Sequence, residues 1–204
     1  MGTPLPPALP CDCCHVTDPR CGIVGVPFET VAETASQAGW VPVNLPSTIN
    51  GNIGGEVNGY NSPSGGAAST TVRVTYTVAS QNRVRGLRLW NQGGGILTDF
   101  DGLGQFTAEF YSGATLLATL VCNGGNGAPP FTFTLPGGQE LNGVTSVVLR
   151  NLGKLSGSVV APLWREIQLL AVQSVFPCRR PSGVIEWYDV NGVRVPSGDV
   201  VDCT

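Results

Sequence analysis

Charged side chains are scarce in this sequence. Only 12% of its 204 residues are charged, one residue is a histidine, and the formal net charge is −3. Arg179 and Arg180 form the only adjacent basic pair, and two charges are too few to follow a phosphate backbone. No apolar run approaches the roughly 18 residues that a membrane-spanning helix needs. We therefore expect neither a nucleic-acid partner nor insertion into a membrane.

The short motifs of common enzymes are also missing. The sequence contains no G-x-S-x-G, no P-loop and no H-E-x-x-H. His15, the single histidine, lies in a cysteine-rich segment, so a histidine-based triad is excluded unless that segment folds over the rest of the chain. A glycosidase would need a pair of carboxylates, and nothing singles out such a pair among Asp99, Asp101, Glu109 and Glu166. We expect a protein without catalytic activity.

Glycine and proline are abundant, with 28 and 16 residues, as is typical of short strands joined by tight turns. Between residues 67 and 173, polar and apolar residues alternate in TTVRVTYTV, RVRGLRLW, QFTAEFY, TLLATLV, FTFTL, VTSVVLRNL and LWREIQLLAV. A period of two puts one set of side chains on a common inner face. That predicted core comprises Val72, Val74, Tyr76, Leu87, Leu89, Phe106, Phe110, Phe131, Phe133, Leu149, Ile167 and Leu169. The expected fold class is all-β, an antiparallel β-sandwich of about eight strands with little helix.

Composition divides the chain into three segments. Residues 1–24 are rich in proline and cysteine and have no periodicity, so we expect an N-terminal arm. Residues 25–174 are predicted to form the sandwich, with the Gly-, Asn- and Ser-rich stretch 25–66 supplying loops and the first strand. Residues 175–204 are predicted to form a C-terminal β-hairpin extension, because Asn191-Gly192 between two strand-like runs is a strong signal for a two-residue turn.

The two-residue turn fixes a register for this hairpin. It places Asp189 opposite Arg194, and Trp187 opposite Pro196 at an edge. Extending the same register brings Cys178 close to Cys203, which predicts a disulfide bond between them if the strand contains a small bulge.

Seven cysteines raise the question of compartment. Disulfides are rare in the cytosol, yet the N-terminus lacks the features of a secretory signal. A protein made in the cytoplasm and released by lysis within a virus particle would satisfy both observations, as would a secreted chain whose signal has been removed. Three states stay open for the arm: disulfides, which we expect, a zinc site that includes His15, and unpaired thiols. The cysteines expected in disulfides are Cys11, Cys13, Cys14, Cys21, Cys178 and Cys203.

The odd number of cysteines leaves one free thiol or one bridge between chains if no metal is bound. Since the arm has no apolar periodicity with which to pack, we expect at least one of its cysteines to bridge outside it. Cys122, Cys178 and Cys203 are the candidate partners within the chain.

The middle of the sequence is similar to a known family. RVRGLRLWN, DFDGLGQFTAEFYSGATLLAT and VTSVVLRNLGKLSGSVVAPLWREIQLLAV resemble, in order and character, the galactose-binding-like jelly roll of discoidin domains and many carbohydrate-binding modules. The resemblance covers about residues 67–173, and Trp164-Arg165-Glu166-Ile167 is its most specific part. It implies an eight-stranded sandwich that binds at its loop tips without catalysis. The tail GVIEWYDVNGVRVPSGDVVDC looks like the terminal pieces of phage structural proteins.

Trp90 is the aromatic residue best placed to bind a sugar, because it ends a strand ahead of a polar, glycine-rich turn. The predicted ligand-binding set is Trp90, Asn91, Gln92, Asp99 and Asp101. For any single tryptophan, core packing or a contact between subunits is the commoner role.

The DFDG sequence that contains Asp99 and Asp101 also has hard oxygen ligands in a turn, a pattern compatible with calcium. An ordinary Asp-Gly turn is the interpretation we favour. The family resemblance implies that a structural calcium would use a glutamate of the last strand, which by motif is Glu166. We therefore expect no cofactor, with calcium at Glu166 or zinc at the arm as the alternatives.

These observations favour an accessory structural protein of a bacteriophage virion, at the tail tip, the fibre or the capsid surface. Its expected partners are other virion proteins, copies of itself and a glycan of the host cell surface. The alternative is a secreted, extracellular bacterial carbohydrate-binding module attached to an enzyme or adhesin.

Overall fold

The computed structural model describes residues 20–51, 58–62, 68–91, 102–125, 130–154, 162–179, 182–189 and 192–202. Fourteen strands lie in these ranges, and the only helical elements among them are three short 3-10 turns, Leu45–Ile49, Pro136–Gly138 and Ser197–Asp199. The strands are β1 (Arg20–Pro27), β2 (Thr30–Ala35), β3 (Val41–Val43), β4 (Gly59–Asn61), β5 (Arg73–Gln81), β6 (Val84–Asn91), β7 (Gln105–Ser112), β8 (Thr115–Asn123), β9 (Phe131–Thr134), β10 (Val144–Arg150), β11 (Trp164–Arg179), β12 (Ile185–Tyr188), β13 (Arg194–Val195) and β14 (Val200–Asp202). Within the described ranges, no helix has the length and apolar character needed to cross a membrane.

Residues Gly25–Leu170 form one compact unit, which we call the sandwich unit. Its larger sheet has the strand order β2-β5-β10-β7-β8, and all neighbouring strands in it are antiparallel. Its smaller sheet is built from β9, β6 and the first part of β11. The two sheets face each other, since the rings of Phe106 and Phe133 lie 5.5 Å apart at 89°. The predicted fold class, an antiparallel sandwich of eight strands, is confirmed.

The core of the sandwich unit follows the alternation of the sequence. Ten of the twelve predicted core residues are fully buried, and they come from both sheets. Phe131 and Phe133 are partly exposed, because β9 is a four-residue strand that pairs only with β6 in the described part of the chain. The period-two pattern therefore located the inner face correctly.

The first quarter of the chain contains more strand than the sequence predicts. β1 begins at Arg20, inside the segment assigned to the arm, and β2 to β4 lie within the stretch assigned mostly to loops. β3 and β4 have three residues each and pair with one another. Three residues are too few to show alternation, which is why composition alone predicts loops here.

Two hairpins have short loops, and the register predicted for the C-terminal one is wrong. β7 and β8 pair up to Ser112 and Thr115, so the loop has two residues and begins at Gly113, with φ 55°. In the C-terminal hairpin, Trp187 lies opposite Val195 instead of Pro196. The Asp189 N–H donates to the Val193 carbonyl at 2.9 Å, so the loop has three residues.

The physical reason for the longer loop lies in the side chain before it. Oδ1 of Asp189 accepts a hydrogen bond from the Val193 N–H at 2.8 Å. Gly192 has φ 78°, the left-handed conformation that ends a three-residue hairpin loop. The register therefore slips by one residue, and the predicted pairings of Asp189 with Arg194 and of Trp187 with Pro196 are both wrong.

Met1–Val24 and Ala171–Thr204 form a second compact unit, the terminal unit. Its strands run in the order β13-β12-β11-β1-β14, with β11 represented by its second part. Val175 and Val195 pack close to the backbone of Gly22 and are buried. Four large apolar side chains of this unit are instead exposed, by 43–60%: Phe176, Val184, Ile185 and Val193.

The cysteines differ between the two units. Cys21 and Cys178 each belong to a disulfide bond, whereas Cys122 on β8 is free and fully buried. Burial raises the pKa of the Cys122 thiol to about 12. Cys122 is therefore not a partner for the arm, contrary to its place among the candidates. The partners of Cys21 and Cys178 stay predictions, including the expected Cys178–Cys203 bond, since Cys11, Cys13, Cys14 and Cys203 lie outside the described residues.

Candidate functional site

Asn91 closes the base of the loop that follows β6. Its side-chain Nδ2 donates to the Leu103 carbonyl at 2.9 Å, and its Oδ1 accepts from the Leu103 N–H at 2.8 Å. The Asn91 side chain is only 1% exposed. This two-point contact fixes where the chain leaves the sandwich at Asn91 and where it returns at Leu103.

The bases of further loops meet at the same place. The Leu103 N–H also donates to the Leu163 carbonyl at 3.1 Å, at the start of β11. The N–H of Gly124, just after β8, donates to the Gly104 carbonyl at 3.0 Å. Leu103 further forms a bridge with Lys154. One end of the sandwich, which we call the loop end, is therefore built from the connections that leave β6, β8 and β10.

Gly124 shows how tightly this base is packed. A Cβ at Gly124 would lie 1.9 Å from the Leu103 carbonyl oxygen and 2.9 Å from Nδ2 of Asn91. Real Cβ atoms do not approach that closely, so any larger residue would force the backbone segments at Gly124 and Leu103 apart. Glycine here serves close approach of backbone to backbone.

Of the two members of the predicted ligand-binding set that the structure describes, Trp90 is partly exposed and Asn91 is buried. It lies at the end of β6, next to the buried Asn91. Since both polar groups of the Asn91 amide are engaged by Leu103, the geometry favours a structural role for Asn91, and its ligand role stays a prediction. Gln92, Asp99 and Asp101 lie outside the described residues.

A buried series of hydrogen bonds runs through the sandwich core, apart from the loop end. Nε1 of Trp164 donates to the Tyr76 hydroxyl at 3.0 Å, and that hydroxyl lies 3.1 Å from Oγ1 of Thr48. Oγ1 of Thr48 donates to the Leu45 carbonyl at 2.7 Å, so the Tyr76 hydroxyl donates in turn to Thr48. Burial raises the pKa of Tyr76 far above its usual range. These hydrogen bonds anchor the 3-10 turn Leu45–Ile49 to both sheets.

Glu166 lies on β11, where it contacts the segment just after that turn, and is fully buried. Its Oε2 accepts a hydrogen bond from the Gly51 N–H at 3.1 Å. Its Oε1 is buried and has no hydrogen-bond partner among the described residues. Burial raises the pKa of Glu166 to about 7, although the Gly51 N–H and the Gln168 side chain favour the charged form. A buried carboxylate with an unused oxygen is costly, which calls for a further interaction.

A hard cation fits this arrangement in part. The unused Oε1 of Glu166 is the kind of anionic oxygen that calcium takes as a ligand. Within the described residues, however, no three His, Cys, Asp or Glu side chains come together. Any further ligands would have to be carbonyl, amide or water oxygens. The sequence motif identified Glu166, but gave no sign of Thr48 or Gly51, which lie in a stretch read as loop.

No protein-family profile and no curated protein matches the chain. The family 32 carbohydrate-binding module of C. perfringens NanJ, solved with galactose, is 12% identical with a TM-score of 0.47, over 69% of this chain and 92% of that one. A fucose-binding module of Streptococcus pneumoniae is 13% identical with a TM-score of 0.45, over 72% and 95%. The lectin domain of Lectinolysin, solved with Lewis B antigen, is 11% identical with a TM-score of 0.45, over 70% and 92%.

Proposed function

We propose that this protein is a non-catalytic glycan-binding sandwich that contacts a sugar with its loop end, near Trp90. The observation that carries the proposal is the partly exposed indole beside a base where several loops are tied together at Leu103. An indole offers a flat apolar face to the C–H groups of a sugar, while polar groups of the loops take its hydroxyls. A base fixed by buried hydrogen bonds holds such a site in one geometry.

Binding to a single glycan is expected to be weak. A site on an open loop end buries little ligand surface, so the affinity of a deep pocket is not available. Several copies of the protein on one particle would compensate through multivalency.

A glycan array with three proteins tests this proposal. The wild type is compared with Trp90→Ala and with the control Trp187→Ala, which makes the same substitution in the terminal unit. We expect the wild type and Trp187→Ala to share binders, and Trp90→Ala to lose at least about tenfold in signal. Binders that survive Trp90→Ala with unchanged signal would place the site elsewhere. An array without binders would contradict glycan binding altogether.

We further propose that the protein acts in a bacteriophage virion, where it contacts other virion proteins and copies of itself. The terminal unit supports this role, since its four exposed apolar side chains, Phe176, Val184, Ile185 and Val193, suit a protein contact better than a solvated surface. The alternative, a secreted module beside an enzyme or adhesin, would work extracellularly without a particle.

Mass spectrometry of density-purified particles distinguishes the two locations. The virion proposal expects this chain in the particle band at a fixed ratio to the capsid protein. Recovery only from the particle-free supernatant would support the secreted module instead.

A further inference from the structure

Four polar side chains form a compact group on the outer face of the larger sheet. They are Arg73 on β5, Arg150 on β10, and Glu109 and Tyr111 on β7, and we call them the sheet-face cluster. β5, β10 and β7 are adjacent in that sheet. The residues that precede or follow these four along each strand are buried in the core, so the alternation turns the cluster outward.

The single carboxylate of the cluster is fully used. Oε1 of Glu109 lies 2.7 Å from Nη2 of Arg150, and Oε2 of Glu109 accepts a hydrogen bond from the Tyr111 hydroxyl at 3.0 Å. Glu109 is 7% exposed, whereas the Arg150 side chain is 34% exposed, so only the carboxylate is well shielded from water. With two guanidinium groups and one carboxylate, the cluster carries a net positive charge on a protein whose formal net charge is −3.

The second arginine has no such partner. The register of β5 and β10 pairs Val74 with Leu149, and one step further places Arg73 opposite Arg150. Like charges directly opposite each other on neighbouring strands are destabilising. Nη1 of Arg73 and Nε of Arg150 are both buried without a hydrogen-bond partner among the described residues. An anion between the two arginines would satisfy these donors and remove the repulsion.

We infer that the sheet-face cluster is a second binding site, specific for the carboxylate or sulfate group of an acidic glycan. A planar carboxylate or a sulfate matches the fork of donors that a guanidinium presents. The Tyr111 ring beside the arginines supplies an apolar surface for the sugar that carries the acid. Identification of the ligand as a glycan rests on the proposed function, whereas the oxyanion preference rests on the cluster alone.

The site is matched to one anionic group and not to a long polyanion. Two arginines on one sheet face provide no track of charge, and a nucleic acid or a heparin-like chain would need many more. A single acidic sugar at the end of a neutral oligosaccharide is the size of ligand that the cluster can hold.

NMR titrations with three matched sugars test the inference. The probes are lactose, 3′-sialyllactose and 3′-sulfated lactose at low ionic strength, and the two acidic sugars separate a carboxylate from a sulfate as the preferred group. We expect at least one acidic sugar to bind about tenfold more tightly than lactose, with the advantage declining as sodium chloride is added. Arg73→Gln should reduce the advantage to nearly onefold, and Arg73→Lys should retain part of it. Arg194→Gln, which removes an exposed arginine of the terminal unit, should leave it unchanged.

Inorganic sulfate separates this site from the proposed glycan function. In a thermal-shift assay at constant ionic strength, sulfate should raise the melting temperature of the wild type but not of Arg73→Gln. If none of the sugars binds but this difference is seen, the glycan function fails and the oxyanion site stands. If lactose and the acidic sugars bind equally and sulfate has no effect, the sheet-face cluster is an ordinary ion network and the inference is overturned.

Discussion

At the scale of single residues, the carboxylate of Glu166 is a buried group with few interactions to offset the cost of its burial. It is fully buried, its Oε1 has no partner, and its pKa is raised to about 7 by burial. The sequence predicted this position only through the family motif. Its unusual state depends on Gly51, more than 100 residues away, whose position follows from the hydrogen bonds beneath the 3-10 turn.

Calcium at Glu166 is the alternative to the expected absence of a cofactor, and it predicts that calcium stabilises the protein through this carboxylate. Ion binding to the folded state alone raises the free energy of unfolding, by about 2.7 kcal/mol at 100 times the dissociation constant. Addition of millimolar calcium after EDTA treatment should therefore raise the melting temperature of the wild type at pH 8. Glu166→Gln should abolish this shift, and Glu29→Gln, at an exposed turn, should preserve it. A shift of equal size in Glu166→Gln would show that calcium binds elsewhere.

Glu140 is the opposite case, a carboxylate with two cationic partners. Its oxygens lie 2.7 Å from Nε of Arg83 and 2.7 Å from Nη2 of Arg85. The hydrogen bond from Arg83, followed by that from Arg85, holds the pKa of Glu140 below its usual value of 4.5. The group therefore contributes stability above the pKa of the unfolded state, and this stability is lost as the pH falls through the folded pKa.

We predict that Glu140→Gln destabilises the protein by roughly 1 kcal/mol at pH 7, as expected for a partly exposed charged network. The difference from wild type should shrink towards zero as the pH falls below about 4, since both proteins are then neutral at this position. Urea unfolding at a series of pH values measures this difference in the free energy of unfolding. A difference that stays constant across that range would mean that the amide disturbs packing instead of removing a charge.

At the scale of elements, what the sequence predicts depends on how local the determinants are. β5 to β11 were predicted because each strand carries its own alternation, as in Val72, Val74 and Tyr76. β3 and β4 were not predicted because they pair with each other across the 3-10 turn, and neither segment alone has a sequence pattern that indicates this pairing. The sheet-face cluster was equally invisible, since Arg73 and Arg150 become neighbours only through the register of β5 and β10.

The C-terminal hairpin shows how one side chain alters a register. The Asn-Gly signal predicts a two-residue loop, but the Asp189 carboxylate accepts from the Val193 N–H and closes a three-residue loop. We predict that Asp189→Ala raises the hydrogen-exchange rate of the Val193 amide by about tenfold, the equivalent of one lost hydrogen bond. Asp189→Asn, which keeps an acceptor oxygen, should change that rate less. An unchanged rate in Asp189→Ala would leave the loop to be explained by Gly192 alone.

At the scale of the whole molecule, the cysteines follow the division into two units. Cys122 is the only cysteine within Gly25–Leu170, and the other six all fall within Met1–Val24 or Ala171–Thr204. Cys122 is free and buried, so the odd count that the sequence left open is accounted for without a bridge between chains. The sandwich unit is held by its apolar core and its hydrogen bonds without a disulfide, whereas the terminal unit, with exposed apolar residues, contains the disulfide-bonded Cys21 and Cys178.

Reduction of the disulfide bonds should therefore destabilise the terminal unit and leave the sandwich unit unchanged. A disulfide that closes a long loop stabilises by roughly 3–4 kcal/mol, in the chain-entropy account. We predict that a phosphine reductant accelerates hydrogen exchange in peptides from residues 171–202 and leaves those from residues 25–170 unchanged. Without reductant, alkylation in denaturant should label one thiol per chain, Cys122, and alkylation of the native protein should label none, because that thiol is buried. Two results would contradict the view that disulfides stabilise only the terminal unit. One is equal acceleration of hydrogen exchange in both units. The other is stoichiometric zinc with free thiols at Cys11, Cys13, Cys14 and Cys21.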